Sequence, residues 1–354
     1  MLNNLNQKKT IYAVALNPDT EEGRESLRVA GAILRKGGTV IFPTETVYGL
    51  GANALDSEAA ARIYAAKGRP ADNPLIVHIA EPEEADALCE CPSLYARLAR
   101  AFMPGPLTVI MPAKSTVPKT VTAGLSTVAV RCPAHPVAHA LLLAAEIPIA
   151  APSANLSGSP SPTCFLHVKD DMDGRVDMII DGGDCDFGVE STIVKIEEDG
   201  SLLLLRPGAV TLEDLVALGV KVRVADAVKS ALKEGETVLS PGMKYRHYAP
   251  KAPLYLLEGT SEKRRKFLAE QEGRIAYLAY DEEACSFDVP TLRLYSLGAK
   301  ADMAVQAKRL FRLLREADKE NFDAIYAPLP PSDGLGLALY NRMIRAAAHQ
   351  IIKL

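Results

Sequence analysis

Lys67-Gly-Arg69 sets two cations close together in a loop punctuated by Gly68, Pro70 and Pro74. Such a pair converges on a polyphosphate, lysine as a point charge and arginine as a bidentate fork. The sequence shows no structural partner for either, although a cation at Lys67 also suits the last turn of a helix. A second cluster, Phe42-Pro-Thr-Glu-Thr-Val-Tyr-Gly-Leu-Gly51, carries the hydroxyls of Thr44 and Thr46, the Glu45 carboxylate, the Tyr48 phenol and two glycines. It reads as a strand ending in a loop, where α/β proteins bind ligands, and equally as a plain turn. A third, Ala151-Pro-Ser-Ala-Asn-Leu-Ser-Gly-Ser-Pro-Ser-Pro-Thr163, offers neutral hydrogen bonds to an anion, or is a flexible Ser/Pro loop. Arg131 and Arg206 each end an apolar run. If those runs are strands, the cations meet above the sheet and form one basic cavity from dispersed residues.

Other chemistries have weaker support. No GxGxxG or GxxxxGK[ST] run occurs, which disfavours Rossmann-type and P-loop nucleotide binding. His135 and His139 stand four apart on an expected helix but lack the carboxylate of an HExxH site. Asp181-Gly-Gly-Asp184 with Asp186 could hold Mg²⁺ but reads better as a turn. The six cysteines form no CxxC pair, and Cys89-x-Cys91 has no second pair to complete a zinc site. They read as scattered reduced thiols of a cytoplasmic protein.

The elements that position these residues follow from pattern. Thr39–Phe42, Leu75–Ile79, Leu107–Met111, Thr127–Arg131, Ile147–Ala151, Met178–Asp181, Ser191–Ile196 and Ser201–Leu205 read as strands, the last two as a hairpin about Glu198-Asp-Gly200. Ser57–Ala66, with Ser57 as its cap, Glu81–Cys89, Ser93–Phe102 and Pro136–Glu146 read as helices. Beyond residue 252, strands at Leu254–Leu257, Arg274–Leu278, Leu292–Tyr295 and Ala324–Ala327 alternate with helices at Glu262–Glu270, Ala301–Asp318 and Gly336–Ile351. That alternation favours a doubly wound sheet. The expected organisation is a catalytic domain over 1–222, an ordered linker over 223–252 and a smaller α/β domain over 253–354.

Composition bounds the partners. The chain has 354 residues, which at roughly 150 per domain predicts about two domains. It is 48% hydrophobic and 24% charged, with a net charge of −4. That is ordinary for a globular protein and opposite in sign to a nucleic-acid coat. No run of about 18 apolar residues suggests a membrane span. Met1–Thr10 lacks the apolar core of a signal peptide.

Taken in order, these segments resemble the YrdC-like family of threonylcarbamoyl-adenylate synthases. The family signature, Lys-x-Arg and then Ser-x-Asn, is matched by Lys67-Gly-Arg69 and Ser153-Ala-Asn155. Pro43–Leu50, Arg69–Leu75, Thr127–Arg131 and Val189-Glu-Ser-Thr-Ile193 match as well. Ser240-Pro-Gly-Met-Lys-Tyr-Arg-His-Tyr248 and the unit after it resemble the extension of the longer, two-domain members. The resemblance implies a twisted open mixed sheet of YrdC-like type with a basic cavity, plus a Rossmann-like α/β C-terminal domain.

It also implies a reaction. L-threonine, bicarbonate (or CO₂) and ATP give L-threonylcarbamoyl-AMP and pyrophosphate. A separate transferase complex then delivers the group to tRNA, so direct tRNA binding is expected to be weak or absent. The resemblance assigns Thr46, His78, Arg131, Ala151 and Ser191 to threonine. It assigns Lys67, Arg69, Asn73, Thr127, Ser153, Asn155, Ser161 and Arg206 to ATP, with Lys67, Arg69, Ser153 and Asn155 as the catalytic set. Mg²⁺ is expected on the ATP phosphates, with no protein metal cage and no tightly bound organic cofactor. Two other functions fit parts of the pattern: a double-stranded RNA-binding module, and a carbamoyltransferase working through a carbamoyl-adenylate.

The 240–250 segment is rich in functional side chains, and long connections often serve as active-site lids. It is expected to fold over the cavity with Tyr245 and Arg246 nearest the ligands. On that reading the second domain positions the lid and carries no catalytic residue.

Overall fold

The computed structural model describes residues 8–230, 248–284 and 291–354. Tyr245 and Arg246, expected above as lid residues, and Cys285 lie outside them. The first unit carries strands β1 (Ile11–Val14), β2 (Val40–Phe42), β3 (Gly49–Asn53), β4 (Ile76–His78), β5 (Leu107–Pro112), β6 (Thr127–Arg131), β7 (Ile149–Ala150), β8 (Met178–Asp181), β9 (Thr192–Ile196), β10 (Leu202–Arg206) and β11 (Val222–Val224). Its helices are α1 (Glu21–Arg35), α2 (Ser57–Lys67), α3 (Ser93–Phe102), α4 (Lys119–Thr122), α5 (Pro136–Ala145), α6 (Phe165–Met172) and α7 (Leu212–Ala217). The second unit carries β12 (Leu254–Glu258), β13 (Ile275–Tyr280), β14 (Leu292–Gly298), β15 (Ala324–Pro328) and β16 (Ile351–Lys353). It also carries α8 (Ser261–Ala269), α9 (Asp281–Ala284), α10 (Met303–Ala317) and α11 (Gly336–Ala346).

The first sheet runs β1-β8-β2-β3-β7-β4-β6-β5-β9-β10-β11. It is mixed: β4 pairs parallel with β6, while β2–β3, β5–β6 and the expected β9–β10 hairpin are antiparallel. The second sheet runs β14-β13-β15-β12-β16, parallel throughout. Parallel strands buried on both faces read as continuous apolar runs, as Ile275–Tyr280 does with all six residues buried.

Local chemistry explains the helices that hold the site. α1 starts where Thr20 accepts from the Gly23 N–H, and it buries Leu27, Ala30 and Leu34 along one stripe. Burying each such leucine is worth about 1.5–3 kcal/mol. α2 is capped by Asp56, which accepts from the N–H groups of Glu58 and Ala59. The expected cap, Ser57, instead turns its hydroxyl to Thr120. α2 stops at Gly68, whose φ of 61° is left-handed and cheap only for glycine.

Three further expectations are corrected. Glu81–Cys89 folds as a 3₁₀ helix over Pro82–Ala87, cut short where Cys89 bridges Ala113. His135 is not on a helix face with His139: it is the N-cap of α5, its Nδ1 accepting from the Val137 N–H at 3.2 Å. Gly49 and Gly51, read as loop, belong to β3, whose register against β2 pairs Phe42 with Gly49 and Val40 with Gly51.

Candidate active site

The C-terminal end of α2, the segments flanking β3 and β7, and the ends of β4, β6 and β10 line one partly open cavity. Of the expected site residues, Thr46, Lys67, Arg69, His78, Arg131, Ala151, Ser153, Asn155, Ser191 and Arg206 line it. Asn73, Thr127 and Ser161 do not appear on its lining. Asn73 is buried and its carbonyl accepts from Arg69 at 3.3 Å. Thr127 begins β6 opposite Pro112. Ser161 is fully buried and donates to Glu190 Oε1 at 2.5 Å.

The signature pairs are joined physically. Lys67 is only 3% exposed, and its ammonium donates to the carbonyls of Ser153 and, at 2.6 Å, Asn155, and to Asn155 Oδ1 at 3.3 Å. Ser153 Oγ donates to the same Oδ1 at 2.5 Å, and Asn155 Nδ2 holds the Ser159 carbonyl at 2.9 Å. Lys67 therefore has structural partners the sequence did not show, because they lie far along the chain. Arg69 likewise spans the carbonyls of Asn73 and Pro74, leaving its buried Nε without a partner. Burial, followed by the Arg69 charge, holds the Lys67 ammonium well below its usual range. Burial lowers Arg69 to about 10. Both cations therefore gain from an anion entering the cavity.

A second group sits on neighbouring strands, with His78 in register with Arg131. Arg131 Nη1 donates to Thr46 Oγ1 at 2.9 Å, and Nη2 lies 2.7 Å from Glu45 Oε1 without hydrogen-bond alignment. Burial pushes the Glu45 carboxyl up, but the Arg131 guanidinium and the backbone N–H groups of Glu45 and Ala134 together hold it below the carboxylate range. Thr44 Oγ1 lies 2.8 Å from Thr46 Oγ1 and donates to the Val47 carbonyl, fixing the loop. The Ala151 N–H is spent on the Ile76 carbonyl at 2.8 Å.

His78 Nδ1 donates to the Ile76 carbonyl at 3.2 Å, and burial, then the Arg131 charge, lowers its pKa to about 3. The unfolded chain takes up this proton near pH 6.5 and the folded chain does not, so stability falls as pH drops below that value. Between pH 6 and 5, His78→Gln should flatten the fall in unfolding free energy by about 1.4 kcal/mol per pH unit. Denaturant titrations at several pH values read this slope, and an unchanged slope would mean His78 is charged in the folded protein.

A third group joins Arg206 to Ser191: Nε donates to the Ser191 carbonyl at 2.9 Å and Nη2 to its Oγ at 3.0 Å. Burial lowers Arg206 to about 10. The arginines at the ends of β6 and β10 thus reach one cavity, as their positions in the sequence suggested. Glu190 and Tyr248 also line it and were not assigned. Glu190 had a signal, since it lies inside Val189-Glu-Ser-Thr-Ile193, and Tyr248 lay in the segment read as a lid. Tyr248 stacks on Phe311 of α10 with centroids 5.1 Å apart, and the next N–H, of Ala249, donates to the Gly158 carbonyl at 3.0 Å.

The second unit reaches the cavity walls directly. Arg315 of α10 holds Asp171 at 2.7 Å and the Pro160 carbonyl at 2.6 Å, bracing the Ser/Pro loop. A side chain at Gly188 would collide with the Lys308 backbone of α10, its Cβ only 2.4 Å from the Lys308 Cα. Among the described residues no cluster of three His, Cys, Asp or Glu side chains could hold a metal ion, Asp181–Asp186 included. No helix of the described residues is long and apolar enough to cross a membrane.

Comparison with known proteins adds identity. Residues 32–208 match the Sua5/YciO/YrdC family model, described as "Telomere recombination", and residues 210–348 match the threonylcarbamoyl-AMP synthase C-terminal domain. The chain is 44% identical to the threonylcarbamoyl-AMP synthase of Pyrococcus abyssi over 92% of its own length and 95% of that protein's. It is 45% identical to the Bacillus subtilis enzyme of the same name, over 92% and 93%. The crystal structure of P. abyssi Sua5 complexed with L-threonine superposes with a TM-score of 0.88 at 42% identity, covering 98% of this chain and 99% of that one. Matched in both units and along nearly the whole length of these relatives, the chain belongs to the threonylcarbamoyl-AMP synthase family, nucleotidyltransferases that make an adenylate.

Proposed function

We propose that the cavity binds L-threonine beside ATP and forms L-threonylcarbamoyl-AMP. The threonine amine takes up CO₂, supplied as bicarbonate, to give a carbamate and release a proton to solvent. A carbamate oxygen attacks the α-phosphorus, and the bond to the bridging oxygen of pyrophosphate breaks. Charge accumulates on phosphate oxygens, so fixed cations and donors matter more than a covalent nucleophile. Lys67, Arg69 and Arg206 offset that charge, and Ser153 and Asn155 add neutral hydrogen bonds. Thr46, His78 and Arg131 hold threonine, with the Arg131 guanidinium facing its carboxylate.

The observation that carries this reading is that one cavity joins the Lys67–Ser153–Asn155 network to the Arg131–Thr46 pair. The threonine complex of the P. abyssi relative supports the amino-acid half. The cavity residues do not fit a protein-held Mg²⁺: its wall carboxylate, Glu190, is already engaged by Arg342 and Ser161. The ion belongs to the triphosphate, largely water-coordinated. The product is an activated donor for a separate transferase acting on tRNA, and a chain of net charge −4 need not hold tRNA itself. Pyrophosphate release from ATP and bicarbonate should require threonine. Release at an equal rate without an amino acid, or with RNA alone, would overturn the reading.

A further inference from the structure

We propose that Arg342, on α11 of the second unit, is a positioning residue whose charge shields the cavity's triphosphate from Glu190. The inference rests on the reading that ATP binds in this cavity.

Arg342 has no exposed surface, and its partner Glu190 is 7% exposed at the side chain. Its Nε donates to Glu190 Oε2 at 2.7 Å, its Nη2 to the Glu190 carbonyl at 3.2 Å and its Nη1 to the Pro207 carbonyl at 2.8 Å. One guanidinium therefore clasps Glu190, which lines the cavity beside Ser191, and Pro207, the residue after the cavity-lining Arg206. The other oxygen of Glu190 accepts from Ser161. α11 is anchored on either side of Arg342, by Asn341 to the Val228 carbonyl at 2.8 Å and by Arg345 to the Ala227 carbonyl at 2.6 Å.

A buried carboxylate beside a phosphate-binding cavity opposes that cavity's purpose. The groups facing Glu190 are Arg342 from α11, Arg206 from β10, Lys67 from α2 and Tyr248. Without Arg342, the Glu190 charge must be met by Arg206 and Lys67. Those two cations would then be partly neutralised, and the triphosphate would also meet an unshielded negative wall. With Arg342 in place, the pair is neutral and Lys67 and Arg206 stay available. Arg342 makes no hydrogen bond to Thr46, His78, Arg131, Ala151 or Ser191, so its loss removes no direct contact from the threonine side. The second unit therefore contributes to nucleotide affinity directly.

The test is steady-state pyrophosphate release by the full-length chain in Arg342→Gln, Arg342→Lys and the double variant Glu190→Gln/Arg342→Gln. Arg342→Gln should raise KM for ATP about tenfold or more, since an unpaired charge acts strongly in a poorly solvated wall. KM for threonine should move less than about threefold, because the perturbed charge faces the nucleotide. Lysine keeps the charge, and the double variant removes both charges. Each should return KM for ATP to within about threefold of the unmodified chain, whatever stability the lost fork costs. A double variant no better than Arg342→Gln, or both KM values rising together, would reduce Arg342 to a structural tether. If Arg342→Gln does not fold, a tenfold rise in KM for ATP in either of the other two variants overturns the proposal equally. Absence of threonine-dependent release by the unmodified chain would instead defeat the reading of the cavity.

Discussion

Lys67→Ala should lower kcat/KM for ATP by about 10²–10³-fold, the usual cost of losing one charge-assisted contact in a water-poor site. The residue sits at the C-terminal end of α2, where Gly68 ends the helix and leaves the ammonium facing the Ser153–Asn155 loop. Burial and the Arg69 charge keep that ammonium poorly stabilised in the free protein. The approach of phosphate oxygens reverses this, so binding energy is gained where negative charge develops. The substitution also removes three hydrogen bonds that tie α2 to the loop, so some loss of thermal stability should accompany the loss of rate. A fall in stability with turnover close to that of the unmodified chain would make Lys67 a loop anchor only.

Arg131→Ala should be the most damaging single change to the fold around the cavity. It leaves the Glu45 carboxylate buried without its counter-charge, which costs about 3–5 kcal/mol. It also removes the donor that holds Thr46 at 2.9 Å. Arg131→Lys separates the two effects: charge compensation of Glu45 largely survives, but the planar fork is lost. KM for threonine should therefore rise in the lysine variant while KM for ATP changes far less. Denaturant unfolding reads the first effect and steady-state kinetics the second. Equal damage to both Michaelis constants would move Arg131 to the nucleotide side.

The sequence exposed the residues that meet the ligands more readily than those that hold the walls. Lys67, Arg69, Arg131, Ser153, Asn155 and Arg206 stand at helix or strand ends in polar, proline-punctuated segments, and such positions are visible in one dimension. Four of the five strands of the parallel second sheet were legible too, as largely apolar runs between helices, but β16 was not: Ile351 reads as the end of a helix that in fact stops at Ala346. β3 was not, since Gly49 and Gly51 carry no strand propensity, and the pairing with β2 and β7 overrides it. β1 escaped notice for a different reason: Ile11–Val14 is a short edge strand that, among the described residues, pairs only with β8.

Arg315 and Arg342 were invisible because their partners lie 144 and 152 residues away. On a helical pattern they look like ordinary surface arginines of amphipathic helices. Only the docking of α10 and α11 against the first unit turns them inward. Beyond the expected part in positioning a lid, the second unit touches the walls of the cavity itself.

Whether the cavity joins threonine, bicarbonate and ATP is read by mass spectrometry of the product formed from ATP, L-threonine and ¹³C-labelled bicarbonate. The expected product is a species at the mass of L-threonylcarbamoyl-AMP that carries a single ¹³C and disappears when threonine is left out. Pyrophosphate release accompanied only by free AMP, or an adenylate that carries no label from bicarbonate, would contradict it.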